Sequence, residues 1–170
     1  MSLPPPPSGE AIIAALRAAR VEFVVSVPDI VTSDGVLRRL AAQDDIRLVR
    51  VCKEDEGVSI CAALSYCDRR AVLLMQQTGL MDSLNALRAI GKDYHLPICM
   101  IVGLQGKEEH LKPADSASFG VRIIEPILDV MEVERHLVEE ATDCEAIAPA
   151  IERAYATSEP VCILIGRPPQ

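Results

Sequence analysis

Aromatic side chains are scarce: Phe, Trp and Tyr make up 3% of the 170 residues, and tryptophan is absent. Base-stacking platforms and aromatic sugar-binding grooves have almost nothing to be built from. An excess of positive charge is missing as well. With 17 Lys and Arg against 25 Asp and Glu, the formal net charge of -8 opposes long-range attraction of a polyanion such as nucleic acid. A small anion stays compatible wherever a local pocket supplies the cations. No CxxC pair occurs among Cys52, Cys61, Cys67, Cys99, Cys144 and Cys162, so the cysteines read as reduced core residues rather than a zinc site or disulfide framework. No basic segment leads into a long apolar one near the start. Every apolar run is broken by Gly, Pro or charge before the roughly 20 residues needed to span a bilayer. A cytoplasmic protein with no membrane or nucleic-acid partner is the expectation. GxGxxG and GxxxxGK[ST] are absent too, which removes support for the common dinucleotide and nucleoside-triphosphate cradles.

What is present is aliphatic. Hydrophobic residues form 49% of the chain, enough for one core hiding about 70% of the extended-chain surface. Consecutive prolines at 4 to 7 predict an extended lead-in over 1–8, followed by a single α/β domain over 9–167 and a short tail over 168–170. Helical spacing places helices over 10–17, capped by Ser8, and over 31–42, 55–66, 80–90 and 143–155. Short Val/Ile/Leu runs place strands over 23–27, 46–51, 71–75, 97–102 and 161–165, with a weaker strand candidate over 121–124. The segment 104–119 loses periodicity and reads as a site loop or a mobile connection, and 125–140 reads as a turn with helical pieces. Buried strands alternating with helices predict a three-layer sandwich: a mostly parallel central sheet of about six strands with helices on both faces.

Three polar turns follow strands: Val27-Pro28-Asp29, then Cys52-Lys53-Glu54-Asp55-Glu56-Gly57, then Gln76-Gln77-Thr78-Gly79. In a parallel sheet all carboxyl ends face one way, so these turns converge despite their separation in sequence. Glu54, Asp55 and Glu56 suit a helix N-terminus electrostatically. Ile60, Ala63, Leu64 and Cys67 follow Glu56 at helical spacing, which would put its carboxylate at the head of an apolar face; Glu54 aligns instead with Val58, Cys61 and Ser65. Pattern alone leaves the choice between the two open. Thr78 suits a helix cap, Gly79 a relaxed turn, and the Gln76 and Gln77 amides suit either loop groups or a ligand. Of His95, His110 and His136, the second lies in the irregular loop beside Glu109, and that pair carries a minor reading as a cofactor-independent catalytic site.

At these turns the chain resembles the pyrimidine-binding domain of thiamine-diphosphate enzymes, specifically the sulfopyruvate decarboxylase alpha-subunit and phosphonopyruvate decarboxylase family. Three segments carry the resemblance: Val27-Pro28-Asp29; Glu54-Asp55-Glu56-Gly57 with Ala62-Ala63 beyond; and Met75-Gln76-Gln77-Thr78-Gly79-Leu80 followed by Ser83-Leu84-Asn85-Ala86-Leu87. The resemblance implies thiamine diphosphate and Mg2+ as cofactors. It casts Glu56 as the catalytic acid against the aminopyrimidine, with Gln76, Gln77, Thr78, Gly79 and Asn85 on the cofactor side. Pro28 and Asp29 would line the substrate entrance, with Lys107 and His110 available to a small anionic 2-oxo acid such as 3-sulfopyruvate. Phosphonopyruvate-type relatives resemble Gln-Asn-Ser-Gly-Leu-Gly-Asn at the third turn, where this chain has Met81 and Asp82, and they place Arg-Gly after the fourth strand, where this chain has Gly103-Leu104. Those departures support the alternative of a nonenzymatic regulatory or binding protein that keeps the fold. The Gly-Asp-Gly and downstream Asn pattern that holds diphosphate and metal in such families is absent. The resemblance thus implies a separate diphosphate-binding beta subunit, no metal site on this chain, and a higher-order oligomer.

Overall fold

The computed structural model describes residues 3–170; Met1 and Ser2 of the expected lead-in lie outside the described residues. Six parallel strands form one sheet in the order β2-β1-β3-β4-β6-β5. They are β1 (Phe23–Ser26), β2 (Arg47–Arg50), β3 (Ala71–Gln76), β4 (Cys99–Gly103), β5 (Glu134–Val138) and β6 (Val161–Ile165). The helices are α1 (Gly9–Ala18), α2 (Arg38–Ala41), α3 (Glu54–Tyr66), α4 (Gln77–Asp82), α5 (Leu84–Ala86), α6 (Phe119–Arg122), α7 (Ile124–Val130) and α8 (Ile147–Thr157). Two π-helical segments adjoin them, Ser33–Leu37 leading into α2 and Leu87–Asp93 continuing α5. The three-layer sandwich expected from the sequence is present.

Successive strand residues point to opposite faces, so each strand serves two cores. Val24, Val72, Leu74, Ile101 and Ile163 meet Ile12, Leu16, Leu40 and Ile151 from α1, α2 and α8. Val25, Leu73, Met75, Met100 and Leu164 meet Val58, Cys61, Leu80, Leu87 and Leu128 on the other side. Each such fully buried aliphatic side chain contributes about 1.5–3 kcal/mol of burial, which is why the central strands β3, β4 and β6 are almost wholly apolar. Ser8 caps α1, its Oγ accepting from Ala11 N at 3.4 Å. The prolines before it are extended but docked: Arg167 Nη1 donates to Pro4 O at 2.8 Å, and Gln170 N to Pro7 O at 3.0 Å.

Three expectations need correction. Residues 121–124 are not a strand: α6 and α7 occupy them, with Val121, Ile124 and Leu128 buried at helical spacing. The segment 125–140 contains strand β5, missed because it is an edge strand whose Glu134, Arg135 and His136 break the apolar run, as charges on sheet edges do. Finally, Cys61, Cys99, Cys144 and Cys162 are buried core residues, whereas Cys52 and Cys67 are exposed. Among the described residues no helix is long and apolar enough to cross a membrane.

Candidate functional site

The chain runs from β1 outward to β2 and then returns to the far side of β1 to form β3, so the topological switch point lies between β1 and β3. Ligands of open parallel sheets bind outside the carboxyl ends at such a point. The turns at Pro28-Asp29, 51–56 and 76–79 all leave adjacent strands there, as the sequence led us to expect.

Helix α3 starts at this edge with Glu54, Asp55 and Glu56 in its first turn, where carboxylates favour the positive end of the helix dipole. Glu56 Oε2 accepts from the main-chain N–H groups of Cys52 at 3.1 Å and Lys53 at 3.4 Å. Its other oxygen, Oε1, meets no donor among the described residues, and the side chain is exposed. The carboxyl group is therefore held by one oxygen and offered by the other. The helical phase that the pattern left open is decided here: α3 buries Gly57, Val58, Cys61 and Ala62, so the buried stripe continues Glu54 and leaves Glu56 on the outward side. Glu54 leans over Gly79, where an added β-carbon would overlap its carboxylate.

Gln77 is 4% exposed and spans the turns after β3 and β4: Nε2 donates to Gln105 O at 2.8 Å and Oε1 accepts from Gln105 N at 2.8 Å. Both ends of its amide are thereby occupied inside the chain. Gln76 is the N-cap of α4, without a side-chain capping bond, so Thr78 does not fill the cap position expected of it. Gln76 Nε2 reaches Thr78 Oγ1 at 3.4 Å and also the Gln105 side chain. Asn85 is exposed, its Oδ1 accepting from Arg88 Nη2 at 3.1 Å. The departures from the phosphonopyruvate-type pattern find partners within the chain: Lys53 Nζ lies 3.5 Å from Asp82, and the Met81 methyl lies 3.8 Å from where a β-carbon of Gly120 would stand.

On the β1 side, Pro28 is exposed and Asp29 fully buried. Asp29 Oδ1 accepts from Val31 N at 3.1 Å, and Oδ2 from Thr32 N at 3.1 Å and Thr32 Oγ1 at 2.8 Å. Burial pushes its carboxyl above the usual range, with the Thr32 hydroxyl and the two amides opposing that shift. The turn reaches past the exit of β3 to β4, where a β-carbon on Gly103 would stand 2.8 Å from Asp29 Cγ and 2.8 Å from Val31 Cβ. Asp29 thus fixes the backbone of this turn.

Lys107 and His110 lie elsewhere on the carboxyl edge, beyond β4 and β6. The Lys107 side chain is fully buried and ion-paired with Glu139. His110 is exposed, and no hydrogen bond joins it to Glu109, which lies 3.3 Å from Arg167 instead. The structure thus gathers the first three turns and leaves Lys107 and His110 in a separate group. Sequence reasoning missed Gln105, whose main chain the Gln77 amide engages, and it missed a cleft beside Pro28; neither carries a periodic or motif signal. Among the described residues, no group of three or more His, Cys, Asp or Glu side chains is placed to hold a metal ion.

No family model matches the chain. A sulfopyruvate decarboxylase subunit alpha from Methanothermobacter thermautotrophicus is 31% identical over 159 residues, covering 93% of this chain and 94% of that protein. The chain belongs to the sulfopyruvate decarboxylase alpha-subunit family. A second member, from Methanocaldococcus jannaschii, is 28% identical over 155 residues, covering 91% of this chain and 90% of the relative. A third, from Methanococcus maripaludis, is 35% identical over 99 residues, 58% of this chain and 59% of that one. Among solved structures, benzoylformate decarboxylase from Polynucleobacter necessarius matches with a TM-score of 0.62 at 22% identity, over 92% of this chain. That match shows a shared fold. This family member spans only 29% of the benzoylformate decarboxylase chain.

Proposed function

We propose that this chain is the alpha subunit of a thiamine-diphosphate-dependent decarboxylase acting on 3-sulfopyruvate or a similar small anionic 2-oxo acid. The observation that carries the reading is the alignment with a sulfopyruvate decarboxylase subunit alpha along 93% of the chain. The site supports the aminopyrimidine half of the cofactor: Glu56 offers an unpaired carboxylate oxygen at the switch-point edge, which the half-buried Gln76 and the exposed Thr78 share. It does not suit the other half. Diphosphate bridged to Mg2+ calls for clustered oxygen ligands, and this reading assigns both to a separate beta subunit.

When bound, thiamine diphosphate supplies the electron sink for loss of carbon dioxide. Glu56 would present Oε1 to the ring nitrogen N1' and share that nitrogen's proton, while Cys52 and Lys53 N–H fix Oε2 and hence the plane of the carboxyl group. Gln77 keeps the third turn in register by tying it to Gln105. Asp29 sets the first turn, and Pro28 stands at the substrate side.

The test is reconstitution with the complementary subunit, thiamine diphosphate and Mg2+ across several 2-oxo acids. The chain alone should show little turnover and the complex should release carbon dioxide. Glu56→Gln should lower the rate by about 100- to 10,000-fold without disturbing assembly; Glu54→Gln is its companion, since Glu54 leans over Gly79 in the cofactor-side turn, and a larger loss there would move the role to Glu54. Full turnover in Glu56→Gln refutes the assignment. A complex that processes no 2-oxo acid yet binds a partner would favour the regulatory alternative, whose support is Met81 and Asp82.

A further inference from the structure

A cleft of about 250 Å³ opens beside Pro28, between the carboxyl ends of β1 and β2 and helix α2. Its lining includes Ser26, Ser33, Leu37, Arg38, Leu48 and Arg50. Two arginines and no carboxylate line it, in a chain of net charge -8. Arg50 is exposed and has no hydrogen-bond or ion-pair partner among the described residues. Arg38 is held on one side only, its Nε lying 3.1 Å from Asp34 on the preceding turn in an exposed pair. Such a pair contributes little and yields readily to a better-placed anion. Leu37, Ala41 and Leu48 give the floor an apolar character. A cavity of about 150 Å³ already holds a benzene-sized molecule, so this one has room for a three-carbon acid with a bulky oxyanion group.

The cleft opens at the same carboxyl edge as the proposed chemistry, on the sheet face that carries α2 rather than the face that carries α3. Arg50 is the last residue of β2, and Cys52, two residues on, supplies one of the N–H groups that hold Glu56. Pro28, at the mouth of the switch point, forms part of the lining. The family's expected arginine after β4 is absent, and Lys107 is ion-paired to Glu139 with its side chain fully buried. On the β2 side of the edge, Arg50 has no partner among the described residues and Arg38 only an exposed one, so both are placed to meet a substrate's second charge.

We infer that Arg50 and Arg38 bind the distal oxyanion of a dianionic 2-oxo acid and so determine specificity for it. The inference rests on the decarboxylase reading for its ligand. Guanidinium groups match planar and tetrahedral oxyanions through paired N–H donors, and the Ser26 and Ser33 hydroxyls add polar edges.

Calorimetric titration of the full chain with sulfoacetate, a dianion without the reactive keto group, tests the cleft directly; acetate serves as the monoanion control. The chain should bind sulfoacetate, with affinity falling as salt rises. Arg50→Gln and Arg38→Gln should each weaken it by about 10- to 100-fold, the range expected for losing a charge-assisted hydrogen bond. Arg47→Gln, outside this lining, should leave it unchanged. In the assembled complex the same two variants should raise KM for 3-sulfopyruvate while sparing kcat and the turnover of pyruvate. Absence of sulfoacetate binding, equal binding by the variants, or an equal loss in Arg47→Gln overturns the inference. Sulfoacetate binding that depends on Arg50 and Arg38 in a complex inert towards every 2-oxo acid keeps the anion cleft and removes the decarboxylase reading. Unchanged specificity in an active complex does the reverse.

Discussion

Replacing Gln77 with Glu exchanges one amide nitrogen for an oxygen at a position only 4% exposed. The wild-type side chain donates to Gln105 O and accepts from Gln105 N, both at 2.8 Å. In Gln77→Glu the second bond survives, but above neutral pH an ionised oxygen faces the Gln105 carbonyl. Loss of one hydrogen bond together with the cost of a poorly hydrated charge amounts to about 2–4 kcal/mol. For a chain of this length that corresponds to about 5–15 °C in Tm. The protonated acid, however, reproduces the amide: its O–H donates to Gln105 O. The charged form is penalised only in the folded state, so the folded pKa of the introduced carboxyl group rises above the unfolded value of about 4.3. A group raised in this way contributes its stability below the unfolded pKa and loses it as pH rises through the folded pKa, at up to about 1.4 kcal/mol per pH unit between the two. Urea melts of wild type and variant from about pH 4 to about pH 8 should therefore converge at the acid end and diverge at the alkaline end. A stability difference that is the same across that range would refute the paired-amide geometry.

Other outcomes follow from the same structure. Native protein should show fast thiol labelling at Cys52 and Cys67 and slow labelling at Cys61, Cys99, Cys144 and Cys162; burial pushes the Cys61 thiol up to about 12, and rapid modification of it would contradict the packing of α3 on the sheet. Tyr155→Phe removes a hydroxyl that accepts from Ala71 N at 2.8 Å and donates to Ala71 O at 3.3 Å, and should cost about 1–3 kcal/mol in denaturant unfolding. A change within about 0.5 kcal/mol would reject that bond's role. Asp29→Ala deletes the acceptor for two amides and a hydroxyl, and should destabilise the chain by about 2–3 kcal/mol, measurable as a drop in the urea midpoint.

The central strands were legible because β3, β4 and β6 are buried on both faces and read as unbroken aliphatic runs. The edge strand β5 was not, since its solvent-facing residues are charged and its length is five residues. Val121-Arg122-Ile123-Ile124 is too short for periodicity to separate strand from helix, and its Val121 and Ile124 join Leu128 at helical spacing in the second core. The phase of α3 stayed open in the sequence for a packing reason. Gly57 and Ala62 add little to an apolar stripe, yet the smallness of Gly57 is what brings the helix close to Leu73: a β-carbon there would stand 3.5 Å from Leu73 Cγ and overlap its Cδ1. At the site, a shared edge for the three turns was visible from the parallel sheet that alternating strands and helices imply, while the strand order that makes them neighbours was not. The Gln77 to Gln105 pairing joins residues 28 apart, and the Arg38 and Arg50 cleft joins separate elements, so neither left a mark on local pattern.

Gly103 has no side chain to offer a ligand, yet it supports the arch formed by the Asp29 turn. The Asp29 turn comes to rest on that bare backbone, with no room for even a methyl group. A larger residue at position 103 would lift the turn like a shim under a keystone, widening the mouth at Pro28 while every contacting side chain kept its identity. On the proposed placement of Pro28 at the substrate entrance, a single hydrogen atom at position 103 would set the width of that entrance, and comparisons confined to its lining would overlook the cause.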